Sequence, residues 1–395
     1  MELKPLRLKK HEAKRLRAGH DWVFSNEIDV AATPLTDFEP GDLVEVQAAD
    51  GRTIGSGYVN PHSLIAARLM SRDPAHAPGA SLLVHRLNVA VALRERIYPT
   101  PHYRLAFGES DGVPGLVVDR YGAILVVQIT TAGMERMRDD VIAALEKVAK
   151  PAGILLRNDV GVRALENLPS YVETAAGHVP DEVVVEENGC RFAVAPAGGQ
   201  KTGWFYDQRD NRARLARYAR GARVLDLFCY LGGWGIEAAH AGAAEVVAVD
   251  SSAPALALAV SNAAANGVAL RTIQAEAFDA LADLAAARER FDIVVCDPPA
   301  FVRRRKDLKP GLAAYRRLYQ MAMRLLDRDG LLVAASCSQP LTRELLADCV
   351  QQAARHLDRR AQWLEWGGQG PDHPVHPAMP ETEYLKAGFV RVTRG

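Results

Sequence analysis

The second half of the chain alternates short apolar runs with segments of helical spacing. Five of the runs predict buried strands, at residues 224–228, 245–250, 271–276, 291–297 and 331–337. One intervening helix, predicted over residues 252–267, has Ser252 as its N-cap, Pro254 in its first turn and Gly267 at its end. Strands separated by such helices predict a parallel, doubly wound α/β sheet.

The chain before residue 220 follows a different pattern. Residues 1–72 contain four short strand-like runs separated by turn signals, which predict a small β-rich module. The predicted strands are residues 21–28, 42–49, 53–60 and 64–70. A stretch rich in His, Ala and Pro follows. Residues 82–180 mix patterns that predict a helix over 83–97, two strands around a turn over 115–130 and a helix over 134–150. We therefore predict three parts, which are a β-rich domain over 1–75, a connecting α/β subdomain over 82–180 and an α/β domain over 181–395.

Composition narrows the class of protein. The 395 residues are 48% hydrophobic and 24% charged, so the bulk of the chain is predicted to be globular and ordered. No apolar run approaches the roughly 18 residues of a membrane helix, and the first twenty residues lack the apolar stretch of a secretory signal. The five cysteines show no C-x-x-C spacing, which argues against a disulfide framework or a zinc site. We expect a cytoplasmic protein with no metal and no membrane partner.

Basic residues are clustered although the chain has 48 acidic and 48 basic side chains. Local basic patches allow a neutral protein to bind a polyanion, and the competing interpretation is a solvated surface. One patch precedes the first predicted strand, and a second follows the fourth strand of the α/β domain. The residues that we expect to contact a polyanion are Lys9, Lys10, Lys14 and Arg15 in the first patch and Arg303, Arg304 and Arg305 in the second.

Acidic residues and a glycine turn lie at the ends of the first three strands of the α/β domain, where such sheets bind ligands. The dinucleotide spacing G-x-G-x-x-G is absent, and a carboxylate beside the turn suits a cationic, amino-acid-bearing nucleoside. Taken in order, these strand ends resemble the S-adenosylmethionine (SAM) site of a class I methyltransferase. The residues expected to bind the cofactor are Asp226, Phe228, Tyr230, Gly232, Gly233, Asp250, Ser251, Glu276, Ala277 and Phe278.

The fourth strand ends in Asp297-Pro298-Pro299-Ala300-Phe301. This turn resembles the loop with which methyltransferases hold a planar nitrogenous acceptor. A carboxylate bonds a ring nitrogen or an exocyclic amine, and an aromatic ring stacks on a base. The competing interpretation is a rigid turn with a surface aspartate.

The fifth strand ends in Ser336-Cys337-Ser338, beside the Asp297 loop. Methylation of an amine needs no enzyme nucleophile, whereas C5 of a pyrimidine is poorly nucleophilic. A thiolate that adds to C6 makes C5 reactive, so Cys337 is a candidate nucleophile. We expect the other four cysteines to pack as small apolar side chains.

Together these motifs resemble bacterial ribosomal RNA large-subunit cytosine-5 methyltransferases that carry an N-terminal PUA (pseudouridine synthase and archaeosine transglycosylase) domain. The resemblance covers essentially the whole chain. Its matching segments are residues 20–25, 111–116, 200–203, 207–212, 226–233, 297–301, 336–338, 372–374 and 384–386.

The resemblance implies a Rossmann-like methyltransferase domain preceded by a PUA domain and a connecting α/β subdomain. It also implies that Cys337 is the nucleophile and that Asp297 bonds the N3/N4 edge of cytosine. A segment containing Lys201, Asp207 and Arg209 would close over SAM. The implied substrate is 23S ribosomal RNA, free or in a precursor particle, with Phe301 and the basic patches as RNA contacts. A homodimer would suit the family.

One departure separates this chain from many RNA cytosine-5 methyltransferases. They carry a second cysteine in the fourth-strand loop, where this chain has Asp297-Pro298-Pro299. If that cysteine assists release, the base that removes the C5 proton is left unassigned here.

Three other functions stay open on the sequence. The first is methylation of an exocyclic amine of an RNA base, which would use Asp297 without Cys337. The second is a non-catalytic RNA-binding or assembly factor that shares the SAM fold. The third is an NAD(P) dehydrogenase, which the missing G-x-G-x-x-G disfavours.

Overall fold

The computed structural model describes residues 3–199 and 202–395. The chain forms two compact units that interleave along the sequence. The first unit contains residues 1–183, 194–206 and 371–382, and the second contains residues 184–193, 207–370 and 383–395. Within the described residues, every helix is too short or too polar to span a lipid bilayer.

The first unit begins with a five-stranded sheet in the order β1-β3-β4-β5-β2. Its elements are β1 (Lys4–Arg7), α1 (Ala13–Arg17), β2 (Trp22–Phe24), β3 (Asp42–Gln47), β4 (Thr53–Val59) and β5 (Ile65–Ser71). The four predicted strands are confirmed as β2 to β5, whereas β1 was not predicted. The predicted strand over 21–28 stops at Phe24, where a 3-10 turn begins and the Glu27 carboxylate accepts the Phe24 N–H at 2.7 Å.

A second sheet of the first unit has the order β10-β9-β8-β7-β6. Its elements are α2 (Ala80–Ile97), β6 (His102–Phe107), β7 (Leu116–Tyr121), β8 (Ile124–Ile129), α3 (Ala132–Arg136), α4 (Arg138–Ala149), β9 (Gly153–Asn158) and β10 (Tyr171–Gly177). The predicted helix at 83–97 and the two strands around a turn at 115–130 are confirmed. The single helix predicted over 134–150 is divided at Met137, whose backbone leaves helical values.

The two sheets of the first unit pack together through buried polar contacts. The Glu166 carboxylate accepts hydrogen bonds from Asn60 at 2.7 Å and from Ser63 and Arg68 at 3.0 Å. The Tyr58 hydroxyl, on β4, donates to the Pro114 carbonyl at 2.9 Å. The β-rich module and the connecting subdomain therefore belong to one compact unit.

The second unit is built on a seven-stranded sheet in the order β15-β14-β13-β16-β17-β19-β18. A two-stranded sheet of β11 and β12 precedes it along the chain. The elements are β11 (Val183–Glu187), β12 (Cys190–Val194), α5 (Arg209–Ala219), β13 (Arg223–Leu227), α6 (Gly233–His240), β14 (Glu245–Asp250), α7 (Ala253–Ala265), β15 (Arg271–Gln274), α8 (Ala277–Ala286), β16 (Phe291–Cys296), α9 (Leu308–Leu325), β17 (Leu326–Ser336), α10 (Arg343–His356), β18 (Arg359–Gly368) and β19 (Lys386–Arg394).

The doubly wound fold predicted from the second half of the chain is confirmed. The five predicted strands are β13 to β17, and they run parallel. Ser252 caps α7 by accepting the Ala255 N–H, and Gly267 follows the helix with φ +68°. The sheet is mixed, however, because β19 pairs antiparallel with both β17 and β18. Neither of these strands was predicted. Along β18, exposed and half-buried residues alternate instead of forming an apolar run.

Candidate active site

Four functional candidates lie at one edge of the second unit's sheet, where the parallel strands end. Asp226 is the penultimate residue of β13, and Asp250 is the last residue of β14. Asp297 directly follows β16, and Cys337 directly follows β17. Because β14, β13, β16 and β17 are consecutive in the sheet, their ends bring these four residues to the same edge.

The loop after β13 has an unusual backbone. Phe228 and Tyr230 adopt positive φ angles of 61° and 49°, and Gly232 has φ +82° just before α6. A Cβ on Gly232 would also lie 3.0 Å from the Ile236 side chain. Left-handed backbone at non-glycine residues is costly, so the surrounding structure fixes this loop in one shape. Gly233 then opens α6 with its N-terminus at the same edge.

Asp226 is fully buried and holds the start of α6. One oxygen accepts the Gly235 N–H at 2.9 Å, and the other receives no hydrogen bond from the described residues. Burial raises the pKa of Asp226 to about 8, and the nearby Asp297 and Asp250 carboxylates add to the shift. Three carboxyl groups therefore lie close enough at this edge to disfavour the charged form of Asp226.

Asp250 ties the glycine loop to the next helix. Its two oxygens accept the backbone N–H groups of Tyr230 and Ser252, each at 2.9 Å. A carboxylate fixed in this way keeps further acceptor capacity, which suits hydroxyl donors. Ser251 is exposed immediately beside it.

The predicted residues after β15 have different surroundings. Glu276 is an exposed N-cap of α8, Ala277 is buried, and Phe278 is half-buried. The Phe278 ring stacks at 6.5 Å from that of Phe301, which lies 4.9 Å from the ring of Tyr315. Phe301 therefore belongs to an aromatic row that continues into the core.

Asp297 is oriented by residues that the sequence did not identify as functional. Both of its oxygens accept from the Gln208 side-chain amide at 2.9 Å, and one also accepts the Trp234 indole N–H at 3.0 Å. Asn211 in turn donates to the Gln208 carbonyl oxygen at 2.7 Å. The polar run at 207–212 signals a site, but only the fold shows which side chain reaches Asp297.

The two serines beside Cys337 lock the end of β17. The buried Ser336 and Ser338 hydroxyls lie 2.7 and 3.0 Å from the Tyr315 hydroxyl. Ser338 also accepts the Val302 N–H at 3.1 Å, which joins this loop to the Asp297 loop. Cys337, between the serines, stays partly exposed.

All five cysteines lie within the described residues, and Cys337 is the one that is not buried. Burial raises the pKa of the Cys190 thiol to about 12 and that of the Cys349 thiol to about 11. It also raises the pKa values of Cys229 and Cys296. Burial thus disfavours the thiolate form of these four cysteines, and only a thiolate is nucleophilic.

Lys386 lies beside Cys337 and was missed as a functional residue. It begins β19, is paired in register with Ser336, and is buried. Its ammonium donates to the Ser338 carbonyl at 2.8 Å and to the Tyr384 carbonyl at 2.9 Å. Burial lowers the pKa of Lys386 to about 8.

The residues predicted to close over the cofactor are described only in part. Lys201 lies outside the described residues. Asp207 is buried and accepts the Tyr384 hydroxyl at 2.5 Å. Arg209 is also buried, and its Nε donates at 3.2 Å to Glu187, a carboxylate that it shares with Arg212. The structure thus places Arg209 in a buried ion network of the second unit.

In the basic patch near the N-terminus, Lys9, Lys10 and Lys14 are exposed. The Lys9 ammonium donates to the Asn26 carbonyl at 2.8 Å. Arg15 instead pairs with Glu27 at 2.8 Å, so its charge is largely compensated.

In the patch after β16, Arg303, Arg304 and Arg305 are all exposed. Arg304 lies 3.3 Å from Asp307. This patch therefore presents a strong positive charge to solvent within the second unit.

The chemistry of the edge fits SAM, which combines a ribose with a cationic sulfonium and an ammonium. No salt bridge joins Asp226 or Asp250 to a basic side chain within 3–199 and 202–395. A bound cation would relieve the repulsion that helps to raise the pKa of Asp226. The fixed Asp250 carboxylate would accept bonds from ribose hydroxyls.

Comparisons with known proteins agree with this geometry. A family model described as a PUA-like domain matches residues 6–72. A second model, described as an S-adenosylmethionine-dependent methyltransferase, matches residues 166–379.

Relatives match over nearly the whole chain. A ribosomal RNA large subunit methyltransferase I from Tolumonas auensis is 38% identical over 392 residues, which cover 97% of this chain and 98% of the relative. The protein of that name from Photobacterium profundum is 37% identical over 97% of both chains. A Streptococcus mutans structure described as a SAM-dependent methyltransferase shares the fold, with a TM-score of 0.83 and 20% identity over 98% of this chain and 100% of that chain. The chain therefore belongs to the S-adenosylmethionine-dependent methyltransferase family, in the branch of the ribosomal RNA large subunit methyltransferases I.

Proposed function

We propose that the protein makes 5-methylcytosine in 23S ribosomal RNA, with Cys337 as the nucleophile. The observation that carries this proposal is a partly exposed Cys337 beside the oriented carboxylate of Asp297, at the sheet edge that we propose binds SAM. The names of the relatives support ribosomal RNA as the substrate class.

The cofactor would be held by the loops after β13 and β14. Asp250 would accept the ribose hydroxyls, and the buried carboxyl group of Asp226 would release its proton and become charged as the cationic end of SAM binds. Gly232 and Gly233 would allow close approach to the start of α6. When bound, SAM supplies an electrophilic methyl group.

The residues of the chain would do the rest of the chemistry. The Cys337 thiolate attacks C6 of cytosine, and the C5–C6 π electrons move into the ring toward N3. C5 would then take the methyl group from SAM, as the S–CH3 bond breaks with its electron pair left on sulfur, which gives S-adenosylhomocysteine. Loss of the C5 proton to water restores the C5–C6 double bond and expels the Cys337 thiolate.

Asp297 would hold the target base for this attack. The Gln208 amide and the Trp234 indole fix the direction of its carboxylate. One oxygen of the carboxylate would accept from the exocyclic amine of cytosine, and the other would bond N3 through a proton held between the two atoms, since both are acceptors. The base reaches Cys337 only when it is unstacked, so we expect single-stranded or extruded cytosine as the substrate.

A covalent trap tests the proposal. Ribosomal RNA from cells that lack the protein, with 5-fluorocytidine in place of cytidine, is incubated with SAM and protein and run on a denaturing gel. Fluorine blocks the elimination step, so the wild type should give a protein–RNA band and Cys337→Ala should give none.

Cys349→Ala is the matched control, because it makes the same chemical change at a buried cysteine of α10. It should form the band as the wild type does. Methyl transfer to unmodified RNA by Cys337→Ala would contradict the proposal and would favour methylation of an exocyclic amine. Binding of RNA and SAM without methyl transfer by the wild type would favour the non-catalytic factor.

A further inference from the structure

Lys386 is a buried cation in a site that otherwise gathers carboxylates. Its side chain crosses the end of β17, and two donors of its ammonium reach the carbonyls of Ser338 and Tyr384. An ammonium carries three donors, so the third remains for another acceptor. Since Ser338 directly follows Cys337, these contacts hold the positive charge next to the thiol.

The charges around Lys386 come from three elements. Cys337 at the end of β17 and Glu383 before β19 act to raise its pKa, and Arg343 of α10 acts to lower it. Arg343 and Glu383 lie 3.0 Å apart and largely compensate each other, and both are partly exposed. Burial has a larger effect than any of them and lowers the pKa of Lys386 to about 8. At pH 7 roughly nine in ten Lys386 side chains would still be charged.

We propose that the Lys386 ammonium stabilises the thiolate of Cys337 and so makes it reactive near neutral pH. Lys386 is then a positioning residue, which acts through the sulfur and does not touch the base. The role in methyl transfer rests on the proposed function, whereas the stabilisation of the thiolate does not.

The same charge would assist the reaction at its start, because it raises the fraction of Cys337 that is thiolate, and at its end. When the Cys337 sulfur bonds to C6, negative charge leaves the sulfur for the ring, and Lys386 keeps its proton. When the S–C6 bond breaks, its electron pair returns to sulfur beside the ammonium. A stabilised thiolate is a better leaving group. This would offset the missing second cysteine in the Asp297 loop.

A purely structural role for Lys386 is the competing explanation, because its ammonium also ties two backbone carbonyls together. The chain offers a control for that role. The Tyr315 hydroxyl holds the same loop through Ser336 and Ser338 but carries no charge at neutral pH. Tyr315→Phe therefore loosens the loop while it leaves the Lys386 charge in place.

Alkylation of the native protein tests the proposal without RNA. The rate of iodoacetamide labelling at Cys337 is measured from pH 5.5 to 10, with Cys337→Ala to subtract labelling of other sites. In the wild type, the midpoint should lie at least one pH unit below the ordinary thiol value of about 8.5. Lys386→Met should move it up by about one unit, which slows labelling at pH 7 about tenfold. Lys386→Arg should restore most of the rate, and Tyr315→Phe should leave the midpoint in place.

Three results would overturn the proposal. One is a wild-type midpoint at or above about 8.5, which needs no variant to fold. The second is an unchanged midpoint in Lys386→Met, and the third is an equal shift in Tyr315→Phe. If the alkylation midpoints shift as expected but the 5-fluorocytidine trap gives no protein–RNA band, only the cytosine-C5 function is contradicted.

Discussion

Buried acids of the first unit and at the sheet edge of the second unit have different surroundings. In the first unit, three acids with little exposed side-chain surface each pair with a guanidinium: Glu166 with Arg68 at 3.0 Å, Asp111 with Arg94 at 2.7 Å and Asp119 with Arg104 at 2.5 Å. At the sheet edge of the second unit, Asp226 is equally buried, yet its hydrogen bond within the described residues comes from one backbone N–H.

The difference distinguishes carboxylates whose charge is compensated by an arginine of the protein from carboxylates whose charge a bound ligand would compensate. A paired acid stays ionised and holds its neighbours in place. An unpaired buried acid has a raised pKa and is stabilised by any cation that enters. The comparison therefore indicates which acids can be removed with a loss of stability and which with a loss of binding.

The largest effect should come from breaking a matched pair. Glu166→Gln leaves the buried Arg68 without its closest carboxylate and should lower the free energy of unfolding by about 3 kcal/mol. Urea denaturation measures this change. Glu173→Gln is the control, because Glu173 pairs with Arg138 at the surface and should cost at most about 1 kcal/mol. Equal losses in the two variants would remove the distinction between buried and exposed pairs.

Asp226→Asn should change how stability depends on pH. The pKa of Asp226 is about 8 in the folded chain and 3.8 in the reference state, so the folded state keeps a proton that the unfolded state releases. This group therefore costs stability as pH rises from about 4 to 8. The variant lacks this titration. Its free energy of unfolding should therefore rise by about 2 kcal/mol relative to that of the wild type from pH 5 to pH 7.

Thermal unfolding at both pH values measures this gain. Ser251→Ala is the control at the same edge, because the exposed Ser251 side chain has no carboxyl group to titrate. Its difference from the wild type should stay constant over this interval. A constant difference between Asp226→Asn and the wild type would mean that Asp226 is ionised throughout.

A smaller effect should follow from releasing Asp297. Gln208→Ala removes the amide that donates to both of its oxygens and should lower kcat/KM for RNA methylation about tenfold or more, because bonds to a charged group contribute about 1.5–3 kcal/mol. Asn211→Ala acts one bond further away and should cost about fivefold. Gln362→Ala, an exposed residue of β18, should match the wild type. An unchanged kcat/KM in Gln208→Ala would show that the orientation of Asp297 does not limit the reaction.

The sequence predicted the edge of this sheet well because strand ends can be read from local patterns. Asp226, Asp250, Asp297 and Cys337 all follow or end apolar runs, and the parallel order of the strands brings them together. The fold class follows from the same alternation.

The sequence did not identify the residues that orient and charge the site. Lys386 begins β19, which inserts antiparallel beside β17 from about 50 positions along the chain, and no local pattern encodes that pairing. Gln208 lies in a polar run where several side chains would serve equally well. Long-range placement, not residue type, decides these roles.

The smallest effect concerns basic residues. Like the acids, some of them are paired with an opposite charge within the protein and others are not. Arg15 is compensated by Glu27, whereas Arg303 and Arg305 are exposed and carry no salt bridge within the described residues. Replacing Arg303, Arg304 and Arg305 by Gln should weaken RNA binding and flatten the dependence of log K on log salt by about 0.7 for each phosphate that is no longer neutralised. Filter binding at several salt concentrations measures the slope. The control replaces the exposed Arg290, Arg324 and Arg328, which line a cavity of about 420 Å³ near the start of β17, away from the strand ends that carry Asp297 and Cys337. RNA that binds specifically beside the Asp297 loop should lose more of its salt dependence in the first triple variant than in the second. Equal flattening of the slope by both variants would mean that net charge alone governs binding.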